Sequence, residues 1–593
     1  FRVTARFTTP DGAQFSAALS ERLSDRESAE KFLKACGEST FSVEDVQVKP
    51  LKKSPAPPFT TSTLQQDAAR KLGFTVSQTM MVAQRLYEEG HITYMRTDSL
   101  NLSNEALASI AEEITGKLGK TYLHTRKYQT SSKGAQEAHE AIRPTYINKR
   151  ELTGATSQER RLYDLIWKRT IASQMADAKI EKTTVDITAN PGGGKFVASG
   201  ETITFDGFLK VYIEGHDDND SAAEGKEMSS EVILPRLEAG EVLTPGQIIA
   251  TERFTQHPPR YSEATLVKKM EELGIGRPST YAPTISTIQQ REYVEKSNRQ
   301  GEQRELTRFT LDPVTKKIET ETKIENVDSE KGKLVPTDTG TVVNDFLTKF
   351  FPNILDFNFT ASVEERFDKI ADGDASWKGE ISDFYEVFHP EVEKADQTRF
   401  EHKPGERVLG IDPASGHPVS VKIGRFGPVV QIGESTDDEK PRFASLRKEQ
   451  SVFNITLEEA LKLFELPRTL GSYEGHEIVV ATGRFGPYIR HNGKFVSLPA
   501  EISPTEVSLS EAVKVIENKR SADAQKVVKK FDEDPELVML NGRYGIYLSY
   551  NDKNYKIPRT AGNPASLTYD ECKKIIEEAD ASPKPARRTR SKK

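Results

Sequence analysis

The opening residues alternate as a strand does, Phe1-Arg2-Val3-Thr4-Ala5-Arg6-Phe7, and residues 1 to 50 read as strands with one short helix around Ser28 to Cys36. A chain that starts inside a strand, without methionine, reads as part of something longer. Lys52-Lys53-Ser54-Pro55-Ala56-Pro57-Pro58 forms an extended connector, because proline fixes φ and disfavours helix before it. Amphipathic helices follow. Ser62 with Gln65 fits a capping box, Leu64, Ala68 and Leu72 share a face, and Gly73 ends the helix. Val76, Met80, Ala83 and Leu86/Tyr87 mark a second helix closed by Gly90. Ser103 caps a third, with Leu107, Ile110, Ala111 and Ile114 on its apolar face, and Gln158 to Met175 is helical again. From about Ile180 to Arg253 strands return, in Thr183 to Ile187 and Phe208 to Tyr212, and residues 258 to 395 are mainly helical. Such blocks suggest a β-domain interrupted by an inserted helical one.

The last third repeats itself. Gly424-Arg425-Phe426-Gly427, Gly483-Arg484-Phe485-Gly486 and Gly542-Arg543-Tyr544-Gly545 recur at intervals of 59 residues, each followed by a strand-like run and then a helix start at Thr456, Ser508 or Ser566. Three copies in fixed order indicate three small units of sheet plus helix. A ring beside a cation suits single-stranded nucleic acid, stacking on the base and neutralising the backbone. From the repeat alone, rings that merely fill each unit's core are an equal reading.

Composition narrows the classes. The chain has 593 residues, which suggests roughly four domains. It has no run of about 18 apolar residues and no signal peptide, so it reads as soluble and intracellular. Two cysteines, Cys36 and Cys572, exclude a disulfide framework and a multi-cysteine zinc site. The net charge of -7 argues against a histone-like coat of cations, although local nucleic-acid binding depends on where the cations sit. Residues 581–593 are a disordered basic tail with Lys584, Arg587, Arg588, Arg590, Lys592 and Lys593, suited to phosphates. The acidic run from Asp217 to Glu231 is a solvated loop without metal-ligand periodicity.

Chemistry concentrates in His91-Ile92-Thr93-Tyr94-Met95-Arg96-Thr97-Asp98-Ser99. Tyr94 lies between a glycine-terminated helix and a serine-capped one, where its side chain can project. In an extended segment Arg96 shares its face and could grip a phosphate. A phenol attacking a phosphodiester needs a cation for the transition-state oxygens and an acceptor for its proton. Asp98 reads as a turn or cap residue outside the site.

This run resembles the active-site motif of the type IA DNA topoisomerases, of the bacterial topoisomerase I branch. Glu137-Ala138-His139-Glu140-Ala141-Ile142-Arg143-Pro144-Thr145 resembles the family's histidine motif. Arg260 to Ala264 with Gly274-Ile275-Gly276-Arg277-Pro278-Ser279-Thr280-Tyr281 resembles its DNA-binding motif. Leu334 to Thr337 and Phe359 to Glu364 are weaker matches, and the likeness covers about residues 1 to 395. The C-terminal repeats resemble those of some bacterial members.

The resemblance implies that Tyr94 forms a 5′-phosphotyrosyl bond to one cut strand, that Arg96 positions the scissile phosphate and that His139 supports proton transfer or cleavage. It implies DNA contacts from Arg277, Ser279 and Thr280. By residue pattern alone, Ser279 is only a helix cap. Arg143, four residues after His139 on a helix, fits the phosphate-facing surface and a salt bridge equally well. Arg425, Phe426, Arg484, Phe485, Arg543 and Tyr544 are the repeats' candidate DNA contacts.

The implied fold is multidomain α+β, a toroidal clamp followed by three small α+β repeats. Its expected parts are a β-rich hinge at 1–56 and 181–256, a helical domain with the tyrosine at 57–180 and a helical DNA-binding domain at 257–396. Repeats are expected at 404–450, 451–515 and 516–580. The connector Lys52 to Pro58 and the strand domain would serve as hinge. The family's Toprim domain, whose acidic Asp-x-Asp-x-Asp cluster and glutamate hold Mg²⁺, has no counterpart before the motifs, so the magnesium implied by the family would be bound outside this chain, which itself offers no metal ligands. Zinc fingers are missing too, and no ATP site is present or required, since exchanging phosphodiesters conserves bond energy.

The implied activity is relaxation of negative supercoils by transient single-strand cleavage, strand passage and religation. The expected partner is DNA, single-stranded segments of negatively supercoiled duplex, with the protein a bacterial, cytoplasmic, nucleoid-associated monomer. The chain alone is expected to bind DNA and to cleave it poorly or not at all. A topoisomerase III-like decatenase and a non-catalytic single-strand-binding scaffold are the alternatives.

Overall fold

The computed structural model describes the chain apart from residues 129–138, 192–193, 214–233, 256, 299–300, 328, 330, 398–404, 425–426, 435–439, 448–449, 484–485, 500–501, 543–544, 552, 559–563 and 582–593. The side chains of 523–524, 565 and 581 are also outside the description. The acidic loop, the basic tail and the six Arg-aromatic tip residues therefore lie outside the described residues. The chain divides into two compact units, residues 1–399 and 400–593.

In the first unit, alternating residues build one large antiparallel sheet from β1 (Arg2–Thr8), β2 (Gln14–Leu19), β3 (Thr40–Lys53), β4 (Ala178–Asn190), β5 (Lys195–Phe205), β6 (Val242–Thr251), β8 (Glu302–Asp312) and β9 (Lys317–Val327). The order is β1-β2-β5-β4-β3-β6-β8-β9, and β6 also pairs with β1, so six strands close on themselves. Phe7, Phe41, Phe196, Ile248 and Leu311 fill the interior with Leu33 from α1 (Arg26–Gly37). Beyond Asp45, β3 and β4 continue as a largely exposed ribbon toward the helices.

The inserted helices are α2 (Thr61–Leu72), α3 (Val76–Glu88), α4 (Asn104–Leu118) and α5 (Ser157–Ser173). Leu64, Leu86, Ile110, Leu162 and Ile166 form their common core. After β6 come α6 (Glu263–Glu272), α7 (Tyr281–Gln290), a two-stranded β7 (Val294–Ser297) and β10 (Lys333–Pro336), then α8 (Asp338–Phe350), α9 (Phe359–Ala371) and α10 (Trp377–Gln397).

Several expectations are corrected. Residues 257–396 are not simply helical: β8 and β9 return to the large sheet, where Phe309 and Leu311 are buried in its core. The capping box of α2 is Thr60 with Thr63, so Ser62 lies within the first turn. Phe208 to Tyr212 is not a strand. Gly207–Lys210 is a 3₁₀ turn that buries Phe208 and Tyr212 on one side, and Tyr212 N–H bonds the Phe208 carbonyl at 3.0 Å. The connector is not free to bend at its end, since Arg169 Nε donates to the Pro57 carbonyl at 2.7 Å and Phe59 is fully buried.

The second unit holds three four-stranded antiparallel sheets, each followed by a helix. They span Arg407–Ile411 to Arg442–Ser445, Arg468–Tyr473 to Lys494–Ser497 and Val527–Lys530 to Lys553–Lys556. Leu457–Lys462 closes the first core through Ala460, Leu509–Gln525 the second through Ala512 and Ile516, and Tyr569–Ala581 the third through Cys572 and Ile576. Each of the first two units thus runs past its expected end at 450 or 515. Paired glycines, Gly424–Gly427, Gly483–Gly486 and Gly542–Gly545, stand at the same hairpin position in each sheet.

Candidate nucleophile and DNA interface

The segment around Tyr94 leaves α3 through Gly90, whose φ of 72° is the left-handed turn only glycine takes easily, and enters α4 through Ser103, whose hydroxyl accepts from Ala106 N–H at 3.3 Å. Between them the chain bends at Thr93, Met95 and Arg96, and burial alternates. Ile92, Met95, Thr97 and Ser99 are buried, while Tyr94 and Arg96 are exposed and Asp98 is half-buried. Tyr94 and Arg96 are thus both exposed, with the buried Met95 between them.

Two neighbours hold that run. Thr93 N–H donates to the Arg143 carbonyl at 2.9 Å, Thr145 N–H to the His91 carbonyl at 2.9 Å, and Thr93 Oγ1 to the Ala141 carbonyl at 2.7 Å. On the other flank, Thr61 N–H donates to the Thr97 carbonyl at 2.9 Å, and Thr97 N–H to Thr61 Oγ1 at 2.8 Å. Tyr94's ring meets Tyr87, on the last turn of α3, edge to face with centroids 5.2 Å apart.

His139 is exposed at the start of the segment that flanks Tyr94. This segment is extended, not helical as expected: Ile142 bridges to Phe59 and Pro144 to Ile92, and Pro144 disfavours helix at Arg143. Arg143 therefore does not repeat His139 on a helix face. Its guanidinium is turned inward, to Glu140 at 2.7 Å and to the Pro144 carbonyl at 3.0 Å. Burial opposes ionisation of Glu140, but the Arg143 guanidinium and the Ser103 N–H and hydroxyl together hold its carboxyl below the usual range.

The third motif reaches the same region through α6. Its carboxylate Glu271 is pushed up by burial against a hydrogen bond from Ser62 in α2, and further by the charges of Asp98 and Glu272. Tyr281 is pushed up to about 12, first by burial and then by Glu271, with Arg277 opposing. Asp98, Glu271, Arg277 and Tyr281 thus share one electrostatic neighbourhood. Arg277 Nη1 bonds the Gly276 carbonyl at 3.1 Å, and its Nε lies 3.7 Å from Glu364 of α9. Gly276 has φ +78°, and a Cβ there would sit 3.0 Å from Thr280 Oγ1, so the turn requires glycine. Ser279 is exposed but is not the helix cap. Thr280 fills that position, its hydroxyl accepting from Arg277 N–H at 2.8 Å.

The seam between α2–α3 and α6–α7 is part apolar, with Val76, Val267, Met270, Tyr281 and Ile285 buried together. It is also hydrogen-bonded, Val76 N–H to Glu263 at 3.0 Å and Ser77 to Ser286 at 2.7 Å. Asp98, Glu271 and Ser62 were not expected at the site. Strand alternation from Tyr94 could have found Asp98, whereas nothing local in the sequence marks Glu271.

The repeats' six candidate contacts lie outside the described residues, but the second repeat has described rings of its own. Tyr488 and Phe495 meet edge to face at 5.3 Å, Phe495 is 66% exposed, and Arg490 pairs across the strands with Phe495. Among the described residues no group of three or more His, Cys, Asp or Glu could hold a metal ion, and no helix is long and apolar enough to cross a membrane.

Comparison with known proteins agrees across the chain. The family described as DNA topoisomerase matches residues 1–308 and 313–382, and the Topoisomerase C-terminal repeat matches residues 412–473, 472–526 and 530–587. DNA topoisomerase 1 of Xylella fastidiosa strain Temecula1 is 40% identical over 605 residues, covering all of this chain and 69% of the relative. DNA topoisomerase 1 type prokaryotic of Acanthamoeba polyphaga mimivirus is 38% identical over 566 residues, 92% of this chain and 65% of its own. The structure of full-length topoisomerase I from Thermotoga maritima superposes with a TM-score of 0.53 at 28% identity, covering 76% of this chain and 67% of that one. The chain belongs to the bacterial topoisomerase I family of type IA DNA topoisomerases.

Proposed function

We propose that this chain is the strand-cleaving and strand-holding part of an ATP-independent enzyme that relaxes negatively supercoiled DNA, with Tyr94 as nucleophile. Tyr94 Oη forms a bond to a backbone phosphorus, the phosphorus–O3′ bond breaks, and the phenolic proton ends on O3′. Reversal reseals the strand, so no bond energy is spent and superhelical strain supplies the drive. Arg96, exposed two residues on, is placed to neutralise the phosphate oxygens. His139 serves the proton transfer from the adjoining segment, and Arg277, Ser279 and Thr280 hold the single strand at the α7 turn. The repeats hold a second stretch of single strand.

The family relationship implies Mg²⁺. The described residues offer no set of three ligands for it, so the fit fails among them. In keeping with that, the isolated chain binds single-stranded DNA and cleaves it poorly or not at all. The work is cytoplasmic, on the bacterial nucleoid, by a monomer.

The observation that supports this reading is the exposure of both Tyr94 and Arg96 on a segment pinned along both flanks. The test joins this chain to the remaining part of a relative, adds Mg²⁺ and negatively supercoiled plasmid, and compares Tyr94→Phe. Relaxation that survives the substitution removes Tyr94 from the mechanism. A chain that binds single strands but never forms an adduct even when joined would be a scaffold.

A further inference from the structure

Leu86 and Tyr87 compete for the apolar face of α3 in the sequence pattern, and the structure separates them. Leu86 is fully buried, whereas Tyr87 is 40% exposed, as is Tyr94. The two exposed rings meet each other, with 68° between their planes and centroids 5.2 Å apart. An edge-to-face pair of this kind attracts beyond the area it covers. Among the described residues it is the one aromatic contact of Tyr94, whose phenol makes no hydrogen bond.

The two partners are anchored unequally. Tyr87 stands on a locked helix end: Glu89 N–H donates to the Arg85 carbonyl and Gly90 N–H to the Tyr87 carbonyl, each at 2.9 Å, and His91 N–H to the Leu86 carbonyl at 2.8 Å. His91 Nε2 lies 3.4 Å from Glu89, and its ring meets Tyr163 edge to face. The left-handed turn at Gly90 then carries the chain back past this end, which sets residue 94 beside residue 87. Tyr94 has its backbone pinned through Thr93 and Thr97, but those bonds do not choose a rotamer for its side chain. An exposed aromatic side chain has several staggered wells open to it unless a neighbour favours one. Tyr87 is that neighbour, so a rigid helix end supplies what the pinned loop lacks, the direction of the phenol.

A nucleophile attacks only from the conformer that faces its target, and holding that conformer in advance lowers the barrier. We infer that Tyr87 is a positioning residue for strand cleavage, its ring holding the Tyr94 phenol in the attacking conformer. The inference rests on Tyr94 as nucleophile and adds a consequence of its own. Without the Tyr87 ring the unbonded phenol spreads over other conformers, and attack slows. Once the phosphotyrosyl ester has formed, the DNA fixes the phenolic oxygen, so the ring matters to cleavage and not to resealing.

The first arm of the test places a ring-fluorinated tyrosine at position 94 of the 593-residue chain and compares the fluorine resonance in the parent, Tyr87→Leu and Tyr87→Phe. Tyr87→Leu should move the line toward that of the free amino acid, because the ring current is lost. Tyr87→Phe should leave it in place, since the ring and not its hydroxyl makes the contact. In the second arm, the chain joined to the remaining part of a relative cleaves a single-stranded oligonucleotide with Mg²⁺. Tyr87→Leu should slow adduct formation by about two- to tenfold, the range over which such a ring pair biases a conformer. Resealing and oligonucleotide affinity should stay at the parental level, and Tyr87→Phe should restore the cleavage rate. Equal fluorine positions in the parent and Tyr87→Leu overturn the inference, and so does a leucine variant that forms the adduct at the parental rate. Cleavage and resealing that slow together would make the ring a general support of the loop. Affinity that falls in step with cleavage would make it a base-stacking contact, and either result overturns the positioning role. All of these leave Tyr94 in place, whereas a parental adduct that maps to another residue removes the nucleophile and this inference with it.

Discussion

Thr61 and Thr97 hold each other by reciprocal bonds: the Thr61 amide donates to the Thr97 carbonyl at 2.9 Å, and the Thr97 amide to the Thr61 hydroxyl at 2.8 Å. The same hydroxyl lies 2.8 Å from the Met95 carbonyl. One buried side chain at the start of α2 thus fixes both backbone positions that flank Arg96. Thr61→Val keeps the shape and leaves the Thr97 amide unpaired, which should cost about 1–3 kcal/mol. The check is the urea midpoint of the first unit together with Tyr94 adduct formation in the joined enzyme. Thr61→Ser should restore both, and a valine variant of full stability and full adduct yield would show that this pair does not position the segment.

The seam beside it is sensitive to pH. Glu271 is held above the ordinary glutamate range by burial and by Asp98. An acid whose folded-state pKa is raised contributes stability that is present below its unfolded pKa and lost as pH rises through the folded value. The contact of α2 with α6 should therefore loosen as pH climbs above the ordinary glutamate range. Glu271→Gln, neutral throughout, should flatten that decline, so that the variant gains on the parent as pH rises. Denaturation midpoints at a series of pH values decide it: a difference that is constant with pH would clear Glu271 of the effect.

Arg143 tests how its neighbourhood divides between structure and DNA. Its fork is engaged with Glu140 and with the carbonyls of Pro144 and Thr145. Arg143→Ala should lower stability and release Glu140 toward ordinary titration, while single-strand affinity measured by anisotropy stays within about twofold. A loss of affinity on the order of tenfold with stability intact would return Arg143 to the phosphate surface.

Much of this arrangement was legible from residue pattern, and the failures have physical causes. Strand alternation through Ile92 to Ser99 already put Tyr94 and Arg96 outside. It put Asp98 there as well, but an aspartate next to a serine also reads as a turn, and only Glu271, 173 positions later, shows which reading applies. The segment from His139 to Arg143 has no strand signal of its own, because its partners, Phe59 and Ile92, come from elsewhere in the chain. β8 and β9 were hidden for the same reason, a hairpin between helical stretches whose apolar side finds its sheet through β6. Phe208 and Tyr212, four apart, satisfy a helical turn as readily as a strand, and the pocket in the helical core chose the turn.

The junction between the helices and the strand body is a buried ionic knot. Asp67 accepts from Arg169 at 3.4 Å, from Arg70 at 3.1 Å and from the Tyr212 hydroxyl, while Arg169 also grips the Pro57 carbonyl. Pro57 lies on the chain's way into the helices and Tyr212 on its way out, so one ion pair ties both crossings to the helical body. Arg169 and Asp67 are each about 9% exposed or less, and removing one partner of such a pair should cost about 3–5 kcal/mol. Arg169→Met alone should therefore unfold the helical body early. Joined with Asp67→Asn, which removes the stranded charge, it should recover part of the loss. The knot also sends bending to the exposed β3–β4 ribbon. Spin labels at exposed positions on either side of the connector should report one fixed distance, and labels across the ribbon a broad one. Equal widths would place the hinge in the connector after all.

The repeats carry a last, graded prediction. Gly483 and Gly542 lack a Cβ where the rings of Tyr488 and Tyr547 lie, at 3.0 and 2.8 Å from where one would stand. These tyrosines occupy one register position in their sheets, and Val429 takes it in the first repeat. The neighbouring position holds a ring in the first two repeats, Phe443 opposite Gln431 and Phe495 opposite Arg490, and only Phe495 meets a tyrosine ring there, since the third repeat has Asn554 beside Ser549. Stacking contributes about 1–3 kcal/mol per base. Tyr488→Ala with Phe495→Ala should therefore weaken oligothymidylate binding more than Tyr547→Ala does, and Val429→Ala should change it least. Phe495 is exposed, so its removal leaves the core of that repeat, Ile478, Val480 and Ile489, in place. Equal losses at all three repeats would mean that the grip comes from Phe426, Phe485 and Tyr544, and alanine at Phe485 and Tyr544 would then abolish it with the sheets intact.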